Sequence, residues 1–590
     1  MKKYLTAILM MIFLSSLSLI VLGQITFASE PVYQPVGAPA DPKVSIAWNR
    51  YYDYAETTRL LHKLVEQHSR LADLRSLGRS YHGREIWLMT ITNPDTGDHA
   101  SKPAFWIDGG IHGNEIQATE VTMYTAWYLL EMYGRNEFIT RLVDERTFYL
   151  LPMLSPDSRD AHMHGPATTH SPRTGLRPFD SDRDGLFDED GPNDLDGDGH
   201  ITQMRVRDPN GRHIPHPKYP HVMIPAEPGQ PGQYRLLGTE GYDVDGDGRI
   251  NEDAPGGYDP NRDWPWQWQP QYVQSGAGPY PLWVGPNRMA AEFIIAHPNI
   301  AGAQSYHNTA GMILRGPGLK SERWDRADIA VFDALGKQGE DILPGYRYLT
   351  MADDLYEGHG VEVDWLVSMR GIFSFTNELF TPENFFRQTD GGRFFATEET
   401  RAKFDRLLLF GDGFVPWREV DHPQYGRIEV GGMKKSWGRQ PPSFLLEEEC
   451  HRNMAFTLYH ADQMPQIQLQ RLEAKRLDGA IYEITAVFSN PKLIPTRAAV
   501  DVARNITSPD IIRIEGQNLS VITGHWSREP FFREANEQVH EPERLRIPTV
   551  PGMGAVYVRW LVADPGPWRV SMTSVKGGSV SQELQGSDSP

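Results

Sequence analysis

From Glu56 to His68 the apolar residues Leu60, Leu61, Leu64 and Val65 recur at helical spacing, with polar residues between them, so an amphipathic helix is expected there. Two short strands are expected around the turn Ser80-Tyr81-His82-Gly83-Arg84. The run Phe105-Trp106-Ile107-Asp108 reads as a strand. It leads into a glycine-rich turn, Gly109-Gly110-Ile111-His112-Gly113-Asn114-Glu115, and then a helical stretch from Thr119 to Tyr133. Thr147 to Leu154, Ile300 to Tyr306 and Ile372 to Leu379 read as further buried strands, separated by helix-like or loop segments. Such alternation predicts an α/β fold with a mostly parallel or mixed sheet.

The pattern breaks between Asp157 and Asp263 into a stretch rich in Pro, Gly and Asp, too long for an ordinary connection. It is expected to be an ordered, acidic insertion, at about 158–258, on the side of the sheet where a site would form. A helix from Glu447 to Met464 closes this first unit, which spans 45–465. Beyond Ile467 the pattern changes to alternation, as in Tyr482-Glu483-Ile484-Thr485-Ala486-Val487-Phe488, and a small β-sandwich is expected over 466–580. The polar, Ser-rich stretch from Gly577 to Pro590 reads as a frayed end.

Residues 1–29 join Lys2 and Lys3 to an apolar run, Leu5 to Leu22, that ends near the small residues Ala28 and Ser29. This reads as a signal peptide of an exported protein, periplasmic or secreted; an uncleaved N-terminal membrane anchor is the competing reading, because the run is long for a cleaved leader. The formal charge of −19 disfavours nucleic acid and anionic lipid as partners. Cys450 is the only cysteine, which excludes an intrachain disulfide and any zinc site built from several thiolates. A metal would have to sit on histidine and carboxylate.

His112 and Glu115, three residues apart at a strand-to-helix turn, can aim an imidazole and a carboxylate at one point. A catalytic zinc needs such a pair, one distant ligand and an open position. His307, in Ser305-Tyr306-His307-Asn308 at the end of an apolar strand, is the candidate third ligand, since sites collect at carboxyl ends of strands in α/β sheets. Either feature alone arises by chance in a long chain; the residues around them change the weighting.

From about Ala47 to Pro465 the chain resembles the zinc metallocarboxypeptidase family, the pancreatic and regulatory enzymes. Five motifs in one order carry the resemblance. They are Ser80-Tyr81-His82-Gly83-Arg84, His112-Gly113-Asn114-Glu115, Asp259-Pro260-Asn261-Arg262-Asp263-Trp264, Ser305-Tyr306-His307, and the run from Tyr356 through Asp364-Trp365 to Phe375-Thr376-Asn377-Glu378-Leu379. The resemblance implies a mixed, mainly eight-stranded sheet flanked by helices, followed by a small all-β sandwich similar to the transthyretin-like one of the regulatory branch.

It also implies roles. His112, Glu115 and His307 would hold one Zn2+, and Glu378 would be the base that takes a proton from water and returns it to the leaving amine. Asn261 and Arg262 would bind the free C-terminal carboxylate of a peptide or protein substrate, and Tyr356 would cap it. Asp259 would fix the tautomer of His112. Arg205 is the candidate for stabilising the oxyanion, with Arg207 nearly equivalent because the insertion blurs the offset. Val363 matches the position that lines the pocket for the terminal side chain, which points to aliphatic or aromatic termini, although Glu362 is adjacent. Three departures, the turn Ser155-Pro156-Asp157-Ser158, Phe380 and Asp263, touch substrate contacts more than the zinc chemistry.

Within the insertion, Asp180, Asp182 and Asp184 with Gly185, Asp194, Asp196 and Asp198 with Gly199, and Asp243, Asp245 and Asp247 with Gly248 have the alternating spacing of a Ca2+ loop. None has Glu at the twelfth position; Asp190 and Asp253 stand one residue early in the first and third. The competing reading is a solvated acidic loop. For the whole chain the alternatives to a carboxypeptidase are a zinc deacylase or peptidoglycan-stem peptidase on the same fold, or a non-catalytic binding protein. The last is disfavoured by Glu378 standing with all three ligands.

Overall fold

The computed structural model describes residues 36–181, 183–386 and 396–585, so the leader expected over 1–29 lies outside the described residues. Residues 36–43 belong to a first unit and carry no helix or strand; the second unit begins at Val44. Among the described residues no helix is long and apolar enough to cross a membrane.

The second unit opens with the expected amphipathic helix, observed at Tyr54–Gln67 and capped by the Asp53 side chain, which accepts from the Glu56 N–H. Strands β1 (Ala72–Arg79), β2 (Glu85–Ile91), β3 (Ala104–Gly109) and β4 (Thr147–Leu151) follow. The insertion contributes β5 (Gln203–Arg207), β6 (His213–Pro215), β7 (Met223–Pro225) and β8 (Tyr234–Thr239). Then come β9 (Ile300–Asn308), β10 (Met312–Arg315), β11 (Arg347–Thr350) and β12 (Phe373–Leu379). One eight-stranded mixed sheet runs β1-β2-β4-β3-β9-β12-β10-β11, the fold class expected from the sequence.

The middle of this sheet, β4-β3-β9-β12, is parallel. Every residue of β3 and β9 is buried, because helices cover both faces. Phe105 and Ile107 of β3 join the core under the helices Gln117–Met132 and Ser443–Asp462, while Ala104 and Trp106 join the opposite core under Gly285–Ala296. The helix Gln117–Met132 is buried on nearly all sides, so its acids need partners: Glu120 pairs with Arg159 at 2.7 Å, and Glu131 lies 3.0 Å from His68.

The insertion departs from expectation. It opens with a helix, Pro156–His164, and its strands do not stand alone: β5 pairs with β14 (Gly426–Met433), which pairs with β13 (Phe414–His422). The six-stranded sheet β13-β14-β5-β8-β6-β7 therefore joins residues more than two hundred positions apart in the chain.

Two more sheets, of five and four strands, occupy Gln468–Leu584 and share an apolar core around Trp560, Trp568 and Phe488. The chain end is not frayed as far as it is described: Gly578–Leu584 is an edge strand paired with Trp568–Ser574. Polar links fasten these sheets to the first. Asp328 accepts from the Ala499 and Val500 N–H groups, capping the short helix Ala499–Arg504. Buried Lys576 donates to the carbonyls of Arg370 and Gly371. Asp501, fully buried, faces Arg497 at 3.0 Å and Lys576 at 3.5 Å. Removing that carboxylate strands two buried cations, so Asp501→Ala is expected to lower unfolding stability by about 3–5 kcal/mol, read from denaturant midpoints; a change within error would refute this account of the junction.

Candidate metal centre

Three parallel strands deliver the site. Glu378 of β12 pairs directly with His307 of β9, and Gly109 of β3 with Tyr306. Residues in register on adjacent parallel strands face the same way, so His307 and Glu378 share one side of the sheet at the strands' carboxyl ends. His112 and Glu115 arrive by the turn after β3. Gly110 has φ +66°, and a Cβ on Gly113 would fall 2.0 Å from Ser158 Oγ and 2.4 Å from the Arg159 nitrogen. A side chain at 113 is thus excluded by the helix Pro156–His164, and the turn is held tight enough to bring its His and Glu together.

His112 Nδ1 and Glu115 Oε2 are 3.1 Å apart, His307 Nδ1 and Glu115 Oε2 3.0 Å, and the two Nδ1 atoms 3.1 Å. All three residues are buried. Ligands about 2.0–2.1 Å from a tetrahedral zinc stand roughly 3.3 Å from one another, so this near-equilateral triangle has the size such an ion needs. The donor chemistry agrees. His112 donates its Nε2–H to Asp259 Oδ1 at 2.9 Å, which leaves Nδ1 with a bare lone pair directed at the triangle. Glu115 Oε2 accepts no hydrogen bond among the described residues although it is buried. The residues present therefore fit a Zn2+ on two imidazoles and one carboxylate.

Charge around the triangle is closely arranged. Arg173 donates to Glu115 Oε1 at 2.8 Å and lies 3.4 Å from Asp259 Oδ2. Arg439 donates to the same Glu115 oxygen at 3.1 Å, and also to the Asn308 carbonyl and to His170 Nδ1. Burial pushes the Glu115 carboxyl up, but His112, Arg173 and His307 outweigh it and hold the group well below its ordinary range. Asp259 is likewise raised by burial and then held well below its ordinary range by His112, Arg262 and Arg173. Glu378 goes the other way. Burial and the Glu115 carboxylate push it up to about 7, against the pull of His307, Arg439 and Arg173.

Asp259, Asn261 and Arg262 share one tight turn, in which Asp259 accepts the Asn261 N–H at 2.8 Å. Asn261 Oδ1 accepts the Glu362 N–H at 2.9 Å, which turns the amide nitrogen outward as a donor. Arg262 reaches the Tyr356 hydroxyl at 3.3 Å, with the half-exposed Tyr356 ring 5.7 Å from its guanidinium carbon. These three residues are brought together. Val363 is buried against Met351 and Val361.

Arg205 is not at the centre. It sits on β5 of the insertion sheet, donates to Glu429 at 2.6 Å and stacks on Trp417 and Tyr234 at 3.8 and 4.2 Å. Arg207, exposed on the same strand, lies 3.8 Å from Glu429 and 5.8 Å from the Tyr234 ring. The correction is physical: β5 is committed to pairing with β14, and the arginines that face Glu115 are Arg173 and Arg439, neither singled out by motif. Also missed was a buried acid pair beside the centre. Ser305 donates to Asp108 Oδ1 at 2.7 Å and lies 3.3 Å from Glu362 Oε2. Burial and then Asp108 raise Glu362 well above its ordinary range, while Asp108 is pushed up by burial to about 6. Asp108 also accepts from Trp106 Nε1–H at 2.9 Å.

The acidic loops repeat one local design, in which the first Asp of each accepts N–H groups from its own turn: Asp180 from Arg183 and Gly185, Asp194 from Gly197 and Gly199, Asp243 from Gly246 and Gly248. Asp198 and Asp247 accept from His200 and Arg249. Asp182 lies outside the described residues. The first and third loops are joined by a bridge between Asp190 and Asp253, which brings Asp184, Glu189 and Asp245 within metal-binding distance, as it does Asp190, Asp245 and Glu252. In the second loop Asp194 and Asp196 meet Glu240.

Residues 57–169 match the family model described as zinc carboxypeptidase, and residues 466–585 match one described only as a domain of unknown function. Carboxypeptidase D of Rattus norvegicus is 31% identical over 139 residues, 24% of this chain and 10% of that protein. Carboxypeptidase Z of Homo sapiens is 32% identical over 108 residues, 18% of this chain and 17% of that one. The chain thus spans a tenth to a sixth of these relatives. A solved structure of thrombin activatable fibrinolysis inhibitor is similar with a TM-score of 0.41 at 14% identity, over 70% of this chain and 77% of that one. Over residues 57–169 the chain is therefore similar to the zinc carboxypeptidase family.

Proposed function

We propose that the protein is a zinc metallocarboxypeptidase that hydrolyses the C-terminal bond of peptides or proteins. The observation that carries the reading is the buried His112–Glu115–His307 triangle with Glu378 in register beside it. Zinc held there would polarise the scissile carbonyl and acidify water. Asn261, Arg262 and Tyr356 would bind the terminal carboxylate, the first two as donors whose remaining N–H groups are uncommitted. Glu378, whose buried carboxyl is basic enough to take a proton near neutrality, would accept it from water and return it to the leaving amine. A divalent charge nearby would lower the pKa of Glu378 and favour its ionised form.

For the oxyanion role a count of donors favours Arg173 over Arg205. Arg439 commits its two terminal nitrogens to Glu115, Asn308 and His170, whereas Arg173 keeps one terminal nitrogen free among the described contacts. For the terminal side chain we favour an apolar residue, because Val363 packs with Val361 and Met351. Residues 1–29 would direct export, ahead of a catalytic unit at 45–465 and a sandwich at 466–580.

We further propose Ca2+ at the joined first and third acidic loops, where both carboxylate oxygens of Glu252 are shielded from solvent and accept no hydrogen bond among the described residues.

The following outcomes are expected. Glu378→Gln lowers kcat by roughly 10²–10⁴-fold in release of C-terminal residues from a peptide library, with zinc content unchanged by elemental analysis, and wild-type kcat/KM falls on the acid side with a midpoint no higher than about 7; full activity of the variant would remove Glu378 from the mechanism. Arg173→Gln lowers kcat about 10²–10³-fold. Arg205→Gln keeps kcat and instead loses roughly 2–4 kcal/mol of stability; the reverse pattern would restore Arg205 to the site. Chelation of calcium with zinc kept saturated lowers the melting temperature, and an unchanged melt argues against calcium.

A further inference from the structure

A cavity of about 310 Å³ opens beside the metal centre, and none of Asn261, Arg262, Tyr356 or Val363 lines it. Its walls carry Arg79, Arg177 and Arg288 together with the rings of Tyr81, Tyr258 and Trp283. In a chain of net charge −19 such a concentration of arginine is a local reversal of sign.

The one carboxylate in the lining is already neutralised. Asp157 accepts from Ser80 Oγ at 2.7 Å, from the His82 N–H at 3.0 Å and from Arg84 at 3.0 Å. Arg79 is paired with Glu85 at 2.7 Å. Arg177 and Arg288 form no ion pair among the described residues. Arg177 is instead pre-positioned: its guanidinium carbon lies 3.9 Å above the Trp283 ring and 5.5 Å from the Tyr81 ring, and one N–H reaches the Trp283 carbonyl at 3.3 Å. Tyr258 packs on Trp283 with ring centres 4.3 Å apart, which gives the cavity a rigid aromatic wall. A guanidinium fixed in this way, with most of its N–H groups unspent, is a receptor for a planar anion.

The cavity adjoins the centre through two covalent links. Thr174 of its lining follows Arg173, which holds Glu115, and Tyr258 precedes Asp259, which holds His112. A ligand here would therefore lie next to a substrate bound at the centre. The groups proposed for the terminal carboxylate and its side chain are elsewhere, and for an enzyme that removes the last residue, everything else on the substrate lies upstream of the cleaved bond.

We propose, resting on the carboxypeptidase reading, that this cavity is an upstream subsite for the carboxylate side chain of an acidic peptide segment, bound by Arg177 and Arg288 against the Tyr258–Trp283 wall. The full chain, zinc-loaded, is compared on two peptides that share one apolar C-terminal residue and differ by Glu or Gln at single upstream positions. The wild type is expected to show about tenfold higher kcat/KM for Glu at one such position. The double variant Arg177→Gln/Arg288→Gln is expected to lose that preference while keeping its rate on the Gln peptide, and Arg79→Gln to retain it.

Equal rates for Glu and Gln peptides in the wild type, or a preference that survives the double variant, would overturn the proposal. Binding separates this from the reaction itself. If zinc-loaded wild type releases nothing, the carboxypeptidase reading fails. Calorimetry with the same peptides then reports the cavity directly: a Glu-over-Gln difference in affinity that the double variant abolishes supports an acidic-segment site, and no difference refutes it.

Discussion

Three acceptor atoms, two imidazole nitrogens and a carboxylate oxygen, are held about 3 Å apart in a buried place, and this constraint organises everything near it. Bare lone pairs at that spacing repel, and burial removes the water that would screen them. The arrangement is stable only with positive charge close by. Arg173 and Arg439 supply it from one side through the other oxygen of Glu115, and a divalent ion in the triangle would supply it from within. The Asp259 contact completes the balance by fixing the proton of His112 on the far side of its ring, so that the His112 N–H does not compete for the triangle.

The same charge economy explains why Glu115 and Glu378, side by side, titrate in opposite directions. Glu115 receives both guanidinium groups directly, whereas Glu378 feels them at longer range and feels Glu115 as a like charge. Two acids whose environments separate them so far have different tasks available to them: one fitted to be a permanent anion, the other able to gain and lose a proton near neutrality. The Asp108–Glu362 pair, joined through Ser305, is a second pair of buried acids near the centre.

Local features were legible in the chain. The strands that end at Asp108, His307 and Glu378, the glycine turn at 110–113 and the turn at 259–262 are short-range patterns whose residues act within a few positions of one another, and each formed where its pattern predicts. What could not be read was pairing at long range. Arg205 was sought by its offset from other motifs, but an offset through a hundred-residue insertion does not specify direction in space. The pairing partner of β5 is β14, and nothing in the residues of β5 announces it. Arg439 reaches Glu115 across 324 positions, and the signal that could have found Arg173 was its place, with Arg177, at the start of the insertion, shortly after the helix Pro156–His164. The final strand, Gly578–Leu584, is polar because it is an edge with one face in solvent, which in sequence looks like a tail.

The insertion is more than a decoration on the sheet, because both of its ends are contacts of the centre. It leaves through the segment that carries Arg173 and Arg177, and it returns through Tyr258 and Asp259. Between these ends the bridge from Asp190 to Asp253 ties the outgoing strand to the returning one only five residues before Tyr258. Its sheet is closed by β14, and six residues beyond that strand's end stands Arg439. Three of the groups that set the charge at Glu115 and His112 are thus mounted on the insertion or on the hairpin that completes it. Order in the acidic loops is coupled by chain connectivity to the position of those groups, and a cation that fixed the loops would act on the centre without touching it.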